Sequence, residues 1–176
     1  MGQDITDTRF TPADFAEFQA RLNAETELLA AWFNDDCFAE TPREGGFEME
    51  AWLVDRRHTA PAPVIEPLLA ALDDPLVVPE LAQFNLELNG TPVRLTGDAL
   101  SSLAAELTKT LRRVRAGAAE LGANVVTCGI LPTLRAEHLV MARMTPRERY
   151  RALNEQILRL REGAPIWLAI HGEQPL

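Results

Sequence analysis

The sequence predicts an α+β fold, a mainly antiparallel sheet backed by long helices, and three observations carry that reading. Residues 46–55 and 82–89 alternate apolar and polar side chains with the period of two that marks a half-buried strand. Residues 11–34 and 98–121 instead repeat apolar side chains at spacings of three and four, the mark of an amphipathic helix. Long helices separate the strands, which suits an α+β arrangement.

Taken in order, Thr11 and Pro12 open the first helix as N-cap and first helical residue. Phe15, Phe18, Leu22, Leu29 and Phe33 form its apolar stripe, and residues 37–45 make an irregular approach to the first strand. In that strand Phe47, Met49, Ala51 and Leu53 share one face, and Glu48, Glu50, Trp52 and Val54 share the other. Arg56, Arg57 and His58 lead into an Ala/Pro turn, and a short helix over residues 64–72 ends at Asp73-Asp74-Pro75. The second strand, residues 82–89, has Phe84, Leu86 and Leu88 inward and Asn85, Glu87 and Asn89 outward. Asn89-Gly90 signals a tight turn, with residues 91–95 as the return strand of a hairpin and Pro92 at its edge. The long helix buries Leu100, Leu103, Leu107, Leu111, Val114, Ala118 and Leu121 and closes on Gly122. A third strand is expected over residues 124–130, then a loop and a short helical turn near His138. Thr145, Pro146 and Glu148 form a capping-box pattern for a helix carrying Tyr150, Leu153, Ile157 and Leu160 inward. Residues 166–171 read as a last strand.

The 176 residues suffice for one domain with a sizeable core, residues 1–44 serving as a helical lead-in to residues 45–176. Seventeen basic against 26 acidic residues leave a net charge of -9, which argues against nucleic acid or an anionic membrane as partner. Cys37 and Cys128 fit no disulfide or zinc pattern, and neither a secretory leader nor an apolar run of spanning length is visible. A reducing cytoplasm suits that balance.

No phosphate-binding Gly-rich loop, dinucleotide fingerprint or nucleophile elbow occurs. Ser101 and Ser102 open the long helix, Cys128 reads as a core residue, and His58 and His138 read as loop and turn residues. His171 falls at a strand end, and Arg112, Arg113 and Arg115 read as a solvated helix face. The carboxylates are the informative feature. Glu48 and Glu50 point the same way, roughly 7 Å apart along the strand, although glutamate is a poor strand former and like neighbours repel. Glu87 repeats the pattern between two asparagines. If the two strands are neighbours, three carboxylates converge on one face, and a hard divalent cation explains such a cluster better than chance. The alternative is an ordinary strand showing its polar face to water.

Residues 46–55, Gly-Phe-Glu-Met-Glu-Ala-Trp-Leu-Val-Asp, and residues 80–89, Glu-Leu-Ala-Gln-Phe-Asn-Leu-Glu-Leu-Asn, resemble segments of the bacterial glutamate–cysteine ligase family. So do Gly129-Ile130-Leu131-Pro132 and Arg149-Tyr150, in the same order. The resemblance implies a partial glutamine-synthetase-like fold and an ATP-dependent carboxylate–amine ligase. It implies Glu48 and Glu50 as the residues that bind the Mg²⁺ or Mn²⁺ holding ATP, with Glu87 as a further metal ligand. Glu80, Gln83 and Arg135 follow as substrate-binding residues, Glu80 reaching the face only through a bulge or from the preceding loop. The implied reaction phosphorylates the γ-carboxylate of glutamate from ATP, after which the amine of cysteine, or another amine, displaces phosphate. Where the family often carries Gly-Thr-His-Pro, this chain has Ile130 and Leu131. Members of the family are about twice this length, so the chain is expected to supply the metal-binding half and to show no turnover alone. Its protein partner would be a second copy or a separate C-terminal half. The non-catalytic alternative is an interaction or dimerisation module that keeps the fold.

Overall fold

The computed structural model describes residues 4–38 and 41–164. It comprises two compact units: Phe33–Thr145, and the chain up to Trp32 together with the chain from Pro146 onward. The strand expected over residues 166–171, with His171, lies outside the described residues.

The larger unit is built on a four-stranded sheet of β2 (Glu48–Asp55), β3 (Val77–Pro79), β4 (Asn85–Asn89) and β6 (Ala123–Val126). Its order is β3–β4–β2–β6 with every neighbour antiparallel, so the α+β class with an antiparallel sheet holds. Helices α2 (Ile65–Leu72) and α3 (Ala99–Glu120) supply the apolar backing. Ala51 and Leu53 of β2, Leu86 and Leu88 of β4 and Ala123 of β6 meet Ile65 and Leu68 of α2 and Val114 and Ala118 of α3 in one buried cluster. The β2, β4 and α3 side chains sit on alternate strand positions or the helical stripe, so periodicity marked them, while Ala123 lies just before the strand expected from residue 124. The close approach of α2 and α3 depends on Gly117, where a Cβ would come within 2.9 Å of Leu68.

Several local expectations change. The Asn89-Gly90 hairpin does not form: Gly90 lacks the positive φ a two-residue turn demands, and its N–H donates to the Phe47 carbonyl at 2.8 Å. A Cβ at residue 90 would lie 2.4 Å from the Phe47 ring, so the glycine serves close approach rather than reversal. The return segment shortens to β5 (Val93–Arg94), which pairs with β1 (Glu44–Gly45) in a separate two-stranded sheet. The second strand begins at Asn85, not at residue 82, because Ala82 bridges to Met144 and β3 occupies the preceding residues. In α3, Leu100 is 76 % exposed and Leu121 is exposed, so the buried stripe starts at Ala99 and Leu103 and runs to Ala118. The third strand ends at Val126, leaving Cys128 exposed instead of in the core, with its carbonyl accepting the Trp52 indole N–H at 3.0 Å. Arg113 is not simply solvated; it forms an ion pair with Asp74 and donates to the Leu72 carbonyl at 3.1 Å, capping the end of α2.

In the other unit, α1 (Pro12–Asn34) begins where the sequence places it. Asp14 N–H donates to Thr11 Oγ1 at 3.3 Å and Thr11 N–H donates back to Asp14 Oδ2 at 2.7 Å, a reciprocal cap. Yet α1 buries none of its residues, so the apolar stripe is present and uncovered. Helix α4 (Glu148–Leu160) starts without a side-chain cap, Arg147 standing at its N-cap position. Thr145 makes no cap because its hydroxyl donates to the Glu80 carbonyl. Tyr150 and Ala152 are the buried residues of α4, while Leu153, Ile157 and Leu160 are exposed, against the expected inward stripe.

Candidate functional site

The pairing of β2 with β4 decides the face of each acidic side chain. Glu50 stands directly opposite Glu87, Glu48 opposite Asn89 and Trp52 opposite Asn85. Side chains directly opposite in an antiparallel pair project from the same face with Cβ atoms about 5 Å apart. Glu48, Glu50 and Glu87 therefore occupy one face of one sheet, opposite the face packed on α2 and α3. Their surroundings differ. Glu50 is exposed, whereas Glu87 retains only 8 % of its surface and accepts a hydrogen bond on Oε1 from Asn89 Nδ2 at 2.9 Å. Asn85 and Asn89 are buried beside it, so three consecutive outward positions of β4 are polar and shielded. Burying a carboxylate without partners is expensive, and the asparagine supplies one.

Glu80 reaches the same face by a route that the expected strand boundaries concealed. Strand β3 pairs with β4 through Val78 opposite Glu87 and Pro79 opposite Leu86. The next position continues that alternation, and Glu80 N–H donates to the Asn85 carbonyl at 3.5 Å. The fold-back from β3 to β4, rather than a bulge, thus brings Glu80 beside Glu87. The Glu80 carboxyl is held above its ordinary range, first by burial, then by the negative charges of Glu87 and Glu50, with a side-chain hydrogen bond to Glu87 in the same direction. A donation from Leu81 N–H to Glu80 Oε2 at 3.3 Å pulls it partly back. Crowded acids that lack a counter-charge hold a proton more tightly, which is the direction seen at Glu80.

Thr145 is fully buried, and its N–H donates to the Leu81 carbonyl at 2.8 Å while its hydroxyl donates to that of Glu80. It fixes the turn that presents Glu80. Sequence reading assigned Thr145 to a helix cap, and no local signal could have shown its true partner 65 residues away. Gln83 works on the same turn, its amide nitrogen donating to the carbonyls of Met144 at 3.0 Å and Ala142 at 3.3 Å. Trp52 shares the face of Glu50, and its ring stacks on Phe84 at 6.1 Å between centroids.

Arg135 lies elsewhere, at the rim of a cavity of about 390 Å³ whose walls include His58, Pro132, Thr133, Glu137 and His138. Its N–H donates to His138 Nδ1 at 3.0 Å. The walls belong to the turn after β2 and the loop after β6, and none of the four glutamates lines the cavity. The structure therefore places Glu48, Glu50, Glu80 and Glu87 on one sheet face, ties Gln83 to the Met144 and Ala142 carbonyls and sets Arg135 at the cavity rim.

Carboxylate oxygens on one face are the donor chemistry that a hard divalent cation takes. Among the described residues, however, no three His, Cys, Asp or Glu side chains stand poised around a common point for a metal ion. Facing each other across β2 and β4, the acids share a surface without yet sharing a focus.

A family model described as glutamate-cysteine ligase family 2 matches residues 45–164. No curated protein and no solved structure matches the chain.

Proposed function

Because this chain belongs to glutamate–cysteine ligase family 2, whose model spans residues 45–164, we propose that its acidic sheet face binds a divalent metal with ATP for a ligase reaction. The reaction we assign is joining of the γ-carboxylate of glutamate to the amine of cysteine through an acyl-phosphate, the first step of glutathione synthesis. The observation that supports it most is the register of β2 against β4, with Glu50 opposite Glu87 and Glu48 one pair further on.

Glu48, Glu50 and Glu87 would hold Mg²⁺ or Mn²⁺, which supplies neutralisation of charge on the phosphate oxygens during transfer. The protein side of that chemistry is positional. Glu87, shielded and oriented by Asn89, is the fixed donor; Glu50 and Glu48 are the exposed donors able to turn toward an arriving cation. A cation on this face would compete with protons for the carboxylate oxygens, so metal uptake should weaken in acid. Gln83 and Thr145 keep the Glu80 turn in place, a positioning role that differs from the direct substrate contact expected of Gln83. Arg135, apart from the carboxylates, would contact a substrate only through a group reaching the neighbouring cavity.

The cytoplasm fits two free exposed cysteines, and no helix among the described residues is long and apolar enough to cross a membrane. Titration of Mn²⁺ into the protein, followed by electron paramagnetic resonance with and without ATP, tests the site. We expect the double variant Glu50→Gln/Glu87→Gln to lose at least tenfold in Mn²⁺ affinity while keeping its circular dichroism spectrum. Equal affinity in the variant would overturn the assignment. The non-catalytic alternative, an assembly module, is favoured by one observation only, the uncovered apolar side chains of α1.

A further inference from the structure

Away from the carboxylate face, the cavity of about 390 Å³ between the turn after β2 and the loop after β6 has a size typical of small-ligand sites. Its shape is held by bonds between its two walls and within the turn. Thr133 Oγ1 donates to the Thr59 carbonyl at 2.7 Å, tying the loop to the turn. Thr59 has a φ of 56°, in the left-handed region that a β-branched residue rarely enters. Thr59 N–H donates to the Asp55 carbonyl at 3.0 Å and Asp55 N–H to the Ala60 carbonyl at 2.7 Å, which keep the turn in that conformation. Strain of this kind gathers where a chain shapes a ligand site. His138 is mostly buried, its side chain 16 % exposed. Its Nδ1 accepts the Arg135 N–H at 3.0 Å, so the neutral ring carries its proton on Nε2 and presents a donor there. Glu137 Oε1 stands 3.8 Å from that nitrogen, beyond hydrogen-bond reach.

We propose that this cavity binds a small phosphate-bearing molecule, its phosphate met by Arg135, His138 and His58 and its organic body resting on Pro132 and Leu134. Charge supports an anion. The chain carries a net charge of -9, yet Arg135 and two histidines line this cavity, and Arg56 and Arg57 line the adjoining one that shares His58. The acids among these walls are Glu137 and Asp55. Asp55 is already engaged by its own turn, Oδ1 accepting the N–H groups of Arg57 and His58 at 2.8 Å each. The donor arrangement favours phosphate over carboxylate. A single guanidinium fork satisfies a planar carboxylate, whereas donors drawn from two segments suit oxygens that point in several directions. Pro132 and Leu134 supply the apolar surface that such sites offer to the rest of a ligand. The site stands whether or not the acidic sheet face binds a metal, since neither Glu48, Glu50, Glu80 nor Glu87 lines it.

The test titrates inorganic phosphate, glycerol phosphate and malonate separately into the full metal-free chain at fixed pH and ionic strength. The imidazole carbon-bound proton signals of His58 and His138, identified with His58→Gln and His138→Gln, report binding by nuclear magnetic resonance. Both signals should follow one saturating curve with inorganic phosphate, with a dissociation constant on the order of 1 mM. Glycerol phosphate should bind more tightly and malonate more weakly. Arg135→Gln should weaken phosphate binding about tenfold. Glu137→Gln should tighten it about two- to fivefold by removing the opposing charge, a gain that damage to the fold would not produce. The double variant Glu50→Gln/Glu87→Gln should bind phosphate as the parent does, which separates this site from the metal face. Shifts that stay linear to about 50 mM, the parent's curve in Arg135→Gln, or malonate binding as tightly as phosphate would each overturn the proposal. So would loss of phosphate binding in Glu50→Gln/Glu87→Gln.

Discussion

Glu80 shows how a single side chain records its neighbours. Its carboxyl sits above the ordinary range because burial and the charges of Glu87 and Glu50 all disfavour ionisation. Folding therefore binds its proton more tightly than the unfolded chain does. The stabilisation from that proton is complete below the ordinary carboxylate range and is lost as pH climbs through the raised value. Glu80→Gln keeps a hydrogen-bond donor for Glu87 and removes the charge. Urea midpoints measured from acid to neutral pH should then fall less steeply for the variant than for the parent, and parallel curves would contradict the repulsion argument. Nothing in the sequence near Glu80 announces this, because the two charges that act on it come from strands seven and thirty residues away in sequence.

Elements differ in how far their own residues commit them. Helix α3 was legible because its apolar residues recur over six turns, and errors at one end do not move the stripe. Its first turn was misjudged, since Leu100 continues the pattern numerically while pointing into solvent. Leu103→Ala should cost about 2 kcal/mol or more, whereas Leu100→Ala should change stability by less than about 0.5 kcal/mol; chemical denaturation of both separates the faces. The short strands were harder to read. Val77–Pro79 and Val93–Arg94 are too brief to show a period, and each exists because a partner strand offers it hydrogen bonds. Asn89-Gly90 carries a strong local turn signal that lost to tertiary packing, the Phe47 ring and carbonyl claiming the space and the N–H that a hairpin would have used.

At the scale of the whole molecule, a ligand that binds only the folded chain must stabilise it by mass action. With Mn²⁺ at about a hundred times its dissociation constant, the gain should approach about 2.7 kcal/mol, visible as a rise in thermal midpoint. The rise should vanish in Glu50→Gln/Glu87→Gln and shrink as pH falls, because protons and metal compete for the same oxygens. A midpoint indifferent to Mn²⁺ in the parent protein would remove the cation from the acidic face.

The sequence by itself determined which residues share a face on β2 and β4, the middle of the buried stripe of α3, and that Glu48 and Glu50 share a side, because periods of 2 and 3.6 are properties of the backbone alone. Only tertiary structure decided that Glu87 stands against Glu50, that Glu80 joins them through the fold-back into β4, that Arg135 does not, and that Thr145 serves Glu80 rather than α4. Register and partner choice are set by hydrogen bonds and packing between segments far apart in the chain, and no local pattern encodes the far end of such a bond.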